Sequence, residues 1–157
     1  LDSLAARLGL DPIELKLRNL RPDAEGEAGV RHTLELSRYA SKRVQFREEN
    51  RARRSRGQRT RLGIGASLLV SERLGLSCQV AQVEFDLDTY ETTLHELWSD
   101  DLSTNNDGKP WLFAGGLESP TQSAGIAAAI EHASSLVIQD LPLSPERLLE
   151  AHLALSL

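Results

Sequence analysis

The spacing of apolar residues predicts helices at both ends of the chain and strands between them. Leu4, Ala5 and Leu8 share one helical face, and Gly9 can take the left-handed conformation that closes a helix. Asp11 then caps a second helix, with Pro12 at its first position and Glu14 in its first turn. Ile13, Leu15, Leu17 and Leu20 are its expected buried positions. The Pro, Gly, Asp and Glu content of Arg21 to Gly29 predicts a loop. Leu36, Tyr39, Ala40, Arg43 and Val44 recur at helical spacing as a narrow apolar stripe on a charged helix. The composition from Arg51 to Arg59 then predicts a loop.

Period two follows period 3.6. Gly63 to Val70 reads as a strand approached through glycine, and Cys78 to Leu87 as a second strand. In the latter Ala81, Val83, Phe85 and Leu87 alternate with Gln82, Glu84 and Asp86. Asp88-Thr89-Tyr90 makes a turn, and Glu91 to Trp98 returns with Thr92, Leu94, Glu96 and Trp98 on one face. Asp100 to Pro110 is polar and reads as a surface loop. Pro120 opens an alanine-rich helix containing Ala124, Ile126 and Ala127 to Ile130, small enough to pack closely on a sheet. A strand-like piece, Leu136 to Leu141, precedes a terminal helix opened by Ser144-Pro145-Glu146. The expected fold class is α+β, a small antiparallel sheet with helices at both ends. Residues 1–60 hold the N-terminal and basic linker helices, and 61–157 the strands and C-terminal helices, together one compact domain.

Composition narrows the classes. At 157 residues the chain can bury a core, and 40% hydrophobic with 26% charged residues excludes wholesale disorder. No apolar run reaches the 18 residues of a membrane span. The single cysteine, Cys78, excludes an internal disulfide framework and a cysteine-rich metal site. No methionine occurs, an initiator included, so a processed product or a piece of a longer protein is expected. The basic-then-apolar layout of a secretory signal is not seen at Leu1 onward, and the expected setting is cytoplasmic.

Charge is unevenly distributed. Arg38 to Arg61 holds ten Lys or Arg against Glu48 and Glu49, a balance of +8, while the remainder is −13. Nucleic-acid binding is not favoured, because no stacking aromatics interleave the arginines from Arg47 onward. The two readings left are a solvated basic helix and a surface for an acidic partner.

Few residues suggest chemistry. Gly63-Ile64-Gly65 lacks the third glycine and the following helix of a dinucleotide loop. Ser103, Asn105 and Asp107 before Gly108 resemble a calcium loop, but its twelfth position is Ala114 where a glutamate is needed. His32, His95, His132 and His152 have no metal-site spacing, and His132 and His152 are expected on helix surfaces. Cys78 is expected as a small core residue. Glu118 lies between Gly115-Gly116 and a helix start. Backbone there can approach a ligand, and a carboxylate can serve as a general base or simply favour the helix dipole.

Three stretches together resemble the molybdopterin-binding subunit of the xanthine dehydrogenase/aldehyde oxidase family. Leu1 to Leu20 is similar to that family's Leu-Gly-x-Asp-Pro-x-Glu signature, running on to Asn-Leu. Arg61 to Ala66 and Gln79 to Asp101 are similar to its glycine-rich strand and a later hairpin. Glu118-Ser119-Pro120, the alanine-rich helix and Leu141-Pro142-Leu143-Ser144-Pro145-Glu146-Arg147 are similar to its C-terminal elements. The resemblance covers about two-thirds of the chain and extends the fold expectation to parts of that molybdenum-binding domain.

The resemblance implies hydroxylation of aldehydes, purines or related heterocycles with water at a molybdenum–pyranopterin centre. Electrons would leave through partner subunits carrying 2Fe-2S clusters and FAD. It makes Glu118 the base that activates the metal-bound hydroxyl, with Gly115 and Gly116 beside the cofactor. The glutamine- and glycine-rich segments that hold the pterin have no counterpart here, and Leu117 replaces the glycine before the glutamate. The chain alone is therefore expected to be inactive. The alternative is a non-catalytic structural or docking domain that uses the Arg38–Arg61 helix. A small sheet with uncovered edges is also expected to favour self-association.

Overall fold

The structure, a computed structural model, describes residues 2–20, 26–71, 75–99, 120–136 and 145–155. Two short helices, α1 (Asp2–Leu8) and α2 (Pro12–Arg18), lead to α3 (Glu27–Leu36) and the long α4 (Tyr39–Ser55). Three strands follow, β1 (Thr60–Ser71), β2 (Gly75–Asp86) and β3 (Thr92–Ser99). The helices α5 (Pro120–Ser134) and α6 (Pro145–Leu155) complete the described elements. The sheet is antiparallel in the order β1-β2-β3, and the class is α+β as expected.

Both faces of the sheet are covered. Register places Gly63 opposite Val83 and Gly65 opposite Ala81, so these residues share one face with Phe85 and Leu97. That face buries Ile126, Ala129, Ile130 and Ala133 of α5 and Leu148 of α6. The opposite face presents Ile64, Ala66, Leu76, Cys78 and Val80 to Ile13, Val30, Tyr39 and Phe46 from α2, α3 and α4. Cys78 is thus a core residue, 1% exposed. Burial on both faces explains why polar alternation is clean only from Gln82 onward.

The glycine pair makes the α5 layer possible. A Cβ added at Gly63 would stand 2.8 Å from the Ala133 Cβ and would run into the Ala129 carbonyl oxygen. At Gly65 it would stand 2.7 Å from the Ala128 Cβ and collide with the Ala129 backbone nitrogen. Gly63-Ile64-Gly65 is therefore a seat for the small-residue face of α5.

Several local expectations are corrected. Glu27 to Gly29 belong to α3, which begins after Gly26 at φ 93°. The stripe from Leu36 to Val44 does not form, because the chain breaks at Ser37–Arg38, with Arg38 left-handed at φ 53°. The break rotates α4 so that Tyr39 and Phe46 point inward, while Leu36 and Val44 are 48% and 57% exposed. The arginine-rich stretch stays helical to Ser55, since its residues are good helix formers, and Gly57 ends it at φ 71°. In α1 Ala5 is buried, and Leu4 and Leu8 are exposed.

In β3 the shared face of Thr92, Leu94, Glu96 and Trp98 is broken by a bulge. Gln82 pairs with Glu96 but Val83 with Leu94, leaving His95 unopposed. Leu94 consequently packs with the α5 core, and Trp98 with the α4 side. Leu136 is buried and is not in a strand; 137–141 lie outside the described residues, as does the expected loop from Asp100 to Pro110.

Candidate functional site

The residues singled out for chemistry, Glu118 with Gly115 and Gly116, lie outside the described residues. The same holds for the calcium-like stretch from Ser103 to Ala114. No group of three or more His, Cys, Asp or Glu side chains that would hold a metal occurs among the described residues. Gly63 and Gly65, in the glycine-rich strand, lie directly against the backbone of α5.

The histidines expected on helix surfaces have tertiary roles instead. His132 Nδ1 accepts a hydrogen bond from the Ile64 backbone N–H at 3.1 Å, which puts the ring proton on Nε2. Burial, then the positive charges of Arg43 and Arg47, push its pKa down to about 4. The ring is thus neutral over the physiological range. His152 Nδ1 lies 2.8 Å from the Tyr90 hydroxyl and ties α6 to the β2–β3 turn.

His132 shares a further task with Asn50. Asn50 Nδ2 donates to the Leu62 carbonyl at 2.7 Å, and the Leu62 N–H donates to Asn50 Oδ1 at 2.8 Å. Together the two side chains satisfy the outer edge of β1 at Leu62 and Ile64, where a further strand would pair. The expectation of uncovered sheet edges is thus corrected for this part of β1.

Asp11 organises the N-terminal helices. Its Oδ1 accepts from the backbone N–H of Ile13 at 2.8 Å, capping α2, and from the Tyr39 hydroxyl at 3.3 Å. Its Oδ2 lies 2.8 Å from Arg43 Nε on α4. Burial, opposed by Arg43 and assisted by Asp11, raises the Tyr39 pKa well above the ordinary phenol value, so the hydroxyl stays a donor.

The basic stretch divides into two sets. Lys42 reaches Glu96 at 3.0 Å and Gln82 at 2.8 Å, and lies 4.6 Å over the Trp98 ring. Arg53 bridges Glu49 at 3.2 Å and Glu84 at 3.0 Å. Burial opposes its charge, but the bonds to these two carboxylates raise its pKa. Arg56 pairs with Glu49 and Arg59 with Asp88. Arg61, 5% exposed, donates to the carbonyls of Gln58 and Thr60. Burial, then the charges of Arg54, Arg59 and Arg53, lower its pKa.

Arg38, Arg47, Arg51 and Arg54 form the second set. They are exposed and have no carboxylate within ion-pair distance among the described residues. Arg47, Arg51 and Arg54 follow Ala40 and Val44 along one face of α4, at steps of four and three residues. Beside that face, α2, α3 and α4 enclose an open groove of about 970 Å³. Periodicity groups Ala40 and Val44 with Tyr39 and Arg43, but the break at Arg38 sets the rotation of α4 so that Tyr39 is buried while Ala40 and Val44 face outward.

The chain matches no family model, no curated protein and no solved structure.

Proposed function

We propose that this chain is a non-catalytic docking domain that holds an acidic partner against α4. Its scaffold resembles the packing elements of a molybdenum hydroxylase large subunit. One observation carries the reading: six of the ten basic residues between Arg38 and Arg61 are engaged within the chain, and the four left over are exposed. Three of these, Arg47, Arg51 and Arg54, line up on the outward face of α4. Guanidinium groups without internal partners are suited to bidentate pairing with carboxylates on another molecule. The resemblance supports FAD-binding and 2Fe-2S subunits as the partner class, and a cytoplasmic setting. No helix among the described residues is long and apolar enough to cross a membrane.

The test is the binding of fluorescent poly-L-glutamate at increasing salt. Wild-type chain is expected to bind at low salt and release as screening increases, while Arg47→Glu/Arg51→Glu/Arg54→Glu loses binding. Equal binding by this variant refutes the reading. Protein from a host that makes the molybdenum cofactor is expected to carry neither molybdenum nor pterin in stoichiometric amount. Stoichiometric loading with turnover of an aldehyde or purine would favour a hydroxylase instead, with Glu118 as its base.

A further inference from the structure

We infer that the groove between α2, α3 and α4 receives the apolar edge of an acidic amphipathic helix from a partner protein, whose carboxylates run on along Arg47, Arg51 and Arg54. The inference rests on the docking reading and adds where the partner lies and what its sequence carries.

The groove and the arginine row are continuous. The groove is lined by Leu10, Leu17, Leu34, Ala40 and Val44, and its far end on α4 is Arg47. Val44 is 57% exposed and lines the groove, on a helix that buries Tyr39 and Phe46 on another side. From Ala40 to Arg54 the outward face spans about 21 Å at 1.5 Å per residue, which a partner helix of about fifteen residues matches. Helix-in-groove recognition uses apolar anchors at such spacing.

Charge complementarity selects the occupant. Of the charged groups lining the groove, Asp11 is held by Arg43, Glu14 by Arg18 and Arg31 by Glu27, which leaves one acid, Glu35, and one base, Arg38, before Arg47. The groove end is thus close to neutral. Beyond it, Arg47, Arg51 and Arg54 face outward, with Glu48 on the flank. A matching helix carries leucine-like residues over one half and glutamate or aspartate over the other. A uniformly acidic helix leaves the groove empty, and a uniformly apolar one leaves the arginines unpaired.

The probe is a synthetic fifteen-residue helical peptide, with leucines on one face of its first half and glutamates on the same face of its second half. Two control peptides replace the leucines by serine or the glutamates by glutamine. Fluorescence anisotropy is expected to show salt-dependent binding of the parent peptide, weakened about tenfold or more in each control. Val44→Ser, which adds no charge, is expected to weaken the parent about tenfold while leaving the salt slope unchanged. Arg47→Glu/Arg51→Glu is expected to flatten that slope. All three side chains are exposed, and circular dichroism checks that the variants fold.

Salt-dependent binding of the serine control as tight as the parent, unchanged by Val44→Ser, overturns the groove inference and leaves the docking reading standing. No binding of any acidic peptide at low salt overturns both. Tighter binding of duplex DNA or poly-U than of the peptide overturns both as well. A dimer of the chain alone that Val44→Asp dissociates assigns the groove to a second copy and overturns the partner inference.

Discussion

Replacing Gly65 by alanine tests whether the glycine pair is a packing seat. The new Cβ would lie 2.7 Å from the Ala128 Cβ and closer still to the Ala129 backbone nitrogen, against about 3.4 Å for an ordinary contact. The obstacle is a helix backbone, which has no alternative rotamer, so α5 must move outward as a body by about 1 Å or more. That shift draws Ile126, Ala129, Ile130 and Ala133 away from Ala81, Val83 and Phe85. A gap of about 0.5–1 Å forfeits a quarter to a half of each dispersion contact. With overpacking ordinarily costing about 1–3 kcal/mol where side chains can yield, a loss of about 3–5 kcal/mol is expected here. That is a large fraction of the roughly 5–15 kcal/mol that a domain possesses. Urea unfolding followed by far-ultraviolet circular dichroism measures it. Gly9→Ala and Gly57→Ala are the controls: at φ 66° and 71° in open space they pay for left-handed backbone alone, about 1–2 kcal/mol. A Gly65→Ala chain within about 1 kcal/mol of wild type would refute the close seating of α5.

Three further perturbations follow from the same contacts. The His132 pKa of about 4 lies below the free value of 6.5, so the unfolded chain takes up the proton first as pH falls. Its stabilising contribution, about 3 kcal/mol, is complete above pH 6.5 and is lost towards pH 4. His132→Asn keeps an acceptor near Nδ1, and its urea midpoint is expected to vary less than wild type between pH 7.5 and about 4.5. Asp11→Ala removes the α2 cap and the partner of half-buried Arg43, at an expected cost of about 2–4 kcal/mol; Asp11→Asn, which keeps the cap, should cost less in the same unfolding assay. Asn50→Leu leaves the Leu62 N–H and carbonyl unpaired and opens the β1 edge. A loss of about 1–3 kcal/mol is expected, with concentration-dependent association by light scattering.

Much of the fold is legible in local pattern because local physics decides it. Asp11-Pro12, the alternation from Ala81 to Phe85 and the alanines before Ile130 each state their structure within a few residues. The errors arise where a single residue resets the phase of a pattern. Arg38 at φ 53° splits the expected stripe, with Tyr39 inward and Val44 outward, and His95 shifts the second half of β3 to the other face. Neither residue announces this. Arginine is not a usual left-handed residue, and a bulge leaves alternation intact on each side of itself. The histidines were illegible for another reason: their partners, Ile64 and Tyr90, are distant in sequence.

The candidate site shows how composition becomes surface. A balance of +8 over Arg38 to Arg61 suggests a basic helix, but cations at the same composition have different fates. Lys42 and Arg53 point toward Glu96 and Glu84 on neighbouring strands, and each is about one-fifth exposed at its side chain. Their charges are used to fasten α4 to the sheet. Arg47, Arg51 and Arg54 differ only in their angle around the helix axis, and that angle leaves them facing water. Reversing Arg53 should therefore cost stability and reversing Arg51 should cost binding. The comparison is free of the net-charge change that both variants share. Arg53→Glu would place a carboxylate beside Glu49 and Glu84 and is expected to lower the urea midpoint well beyond Arg51→Glu. Equal effects of the two reversals on stability and on peptide binding would mean that total charge, rather than its arrangement on α4, governs this surface.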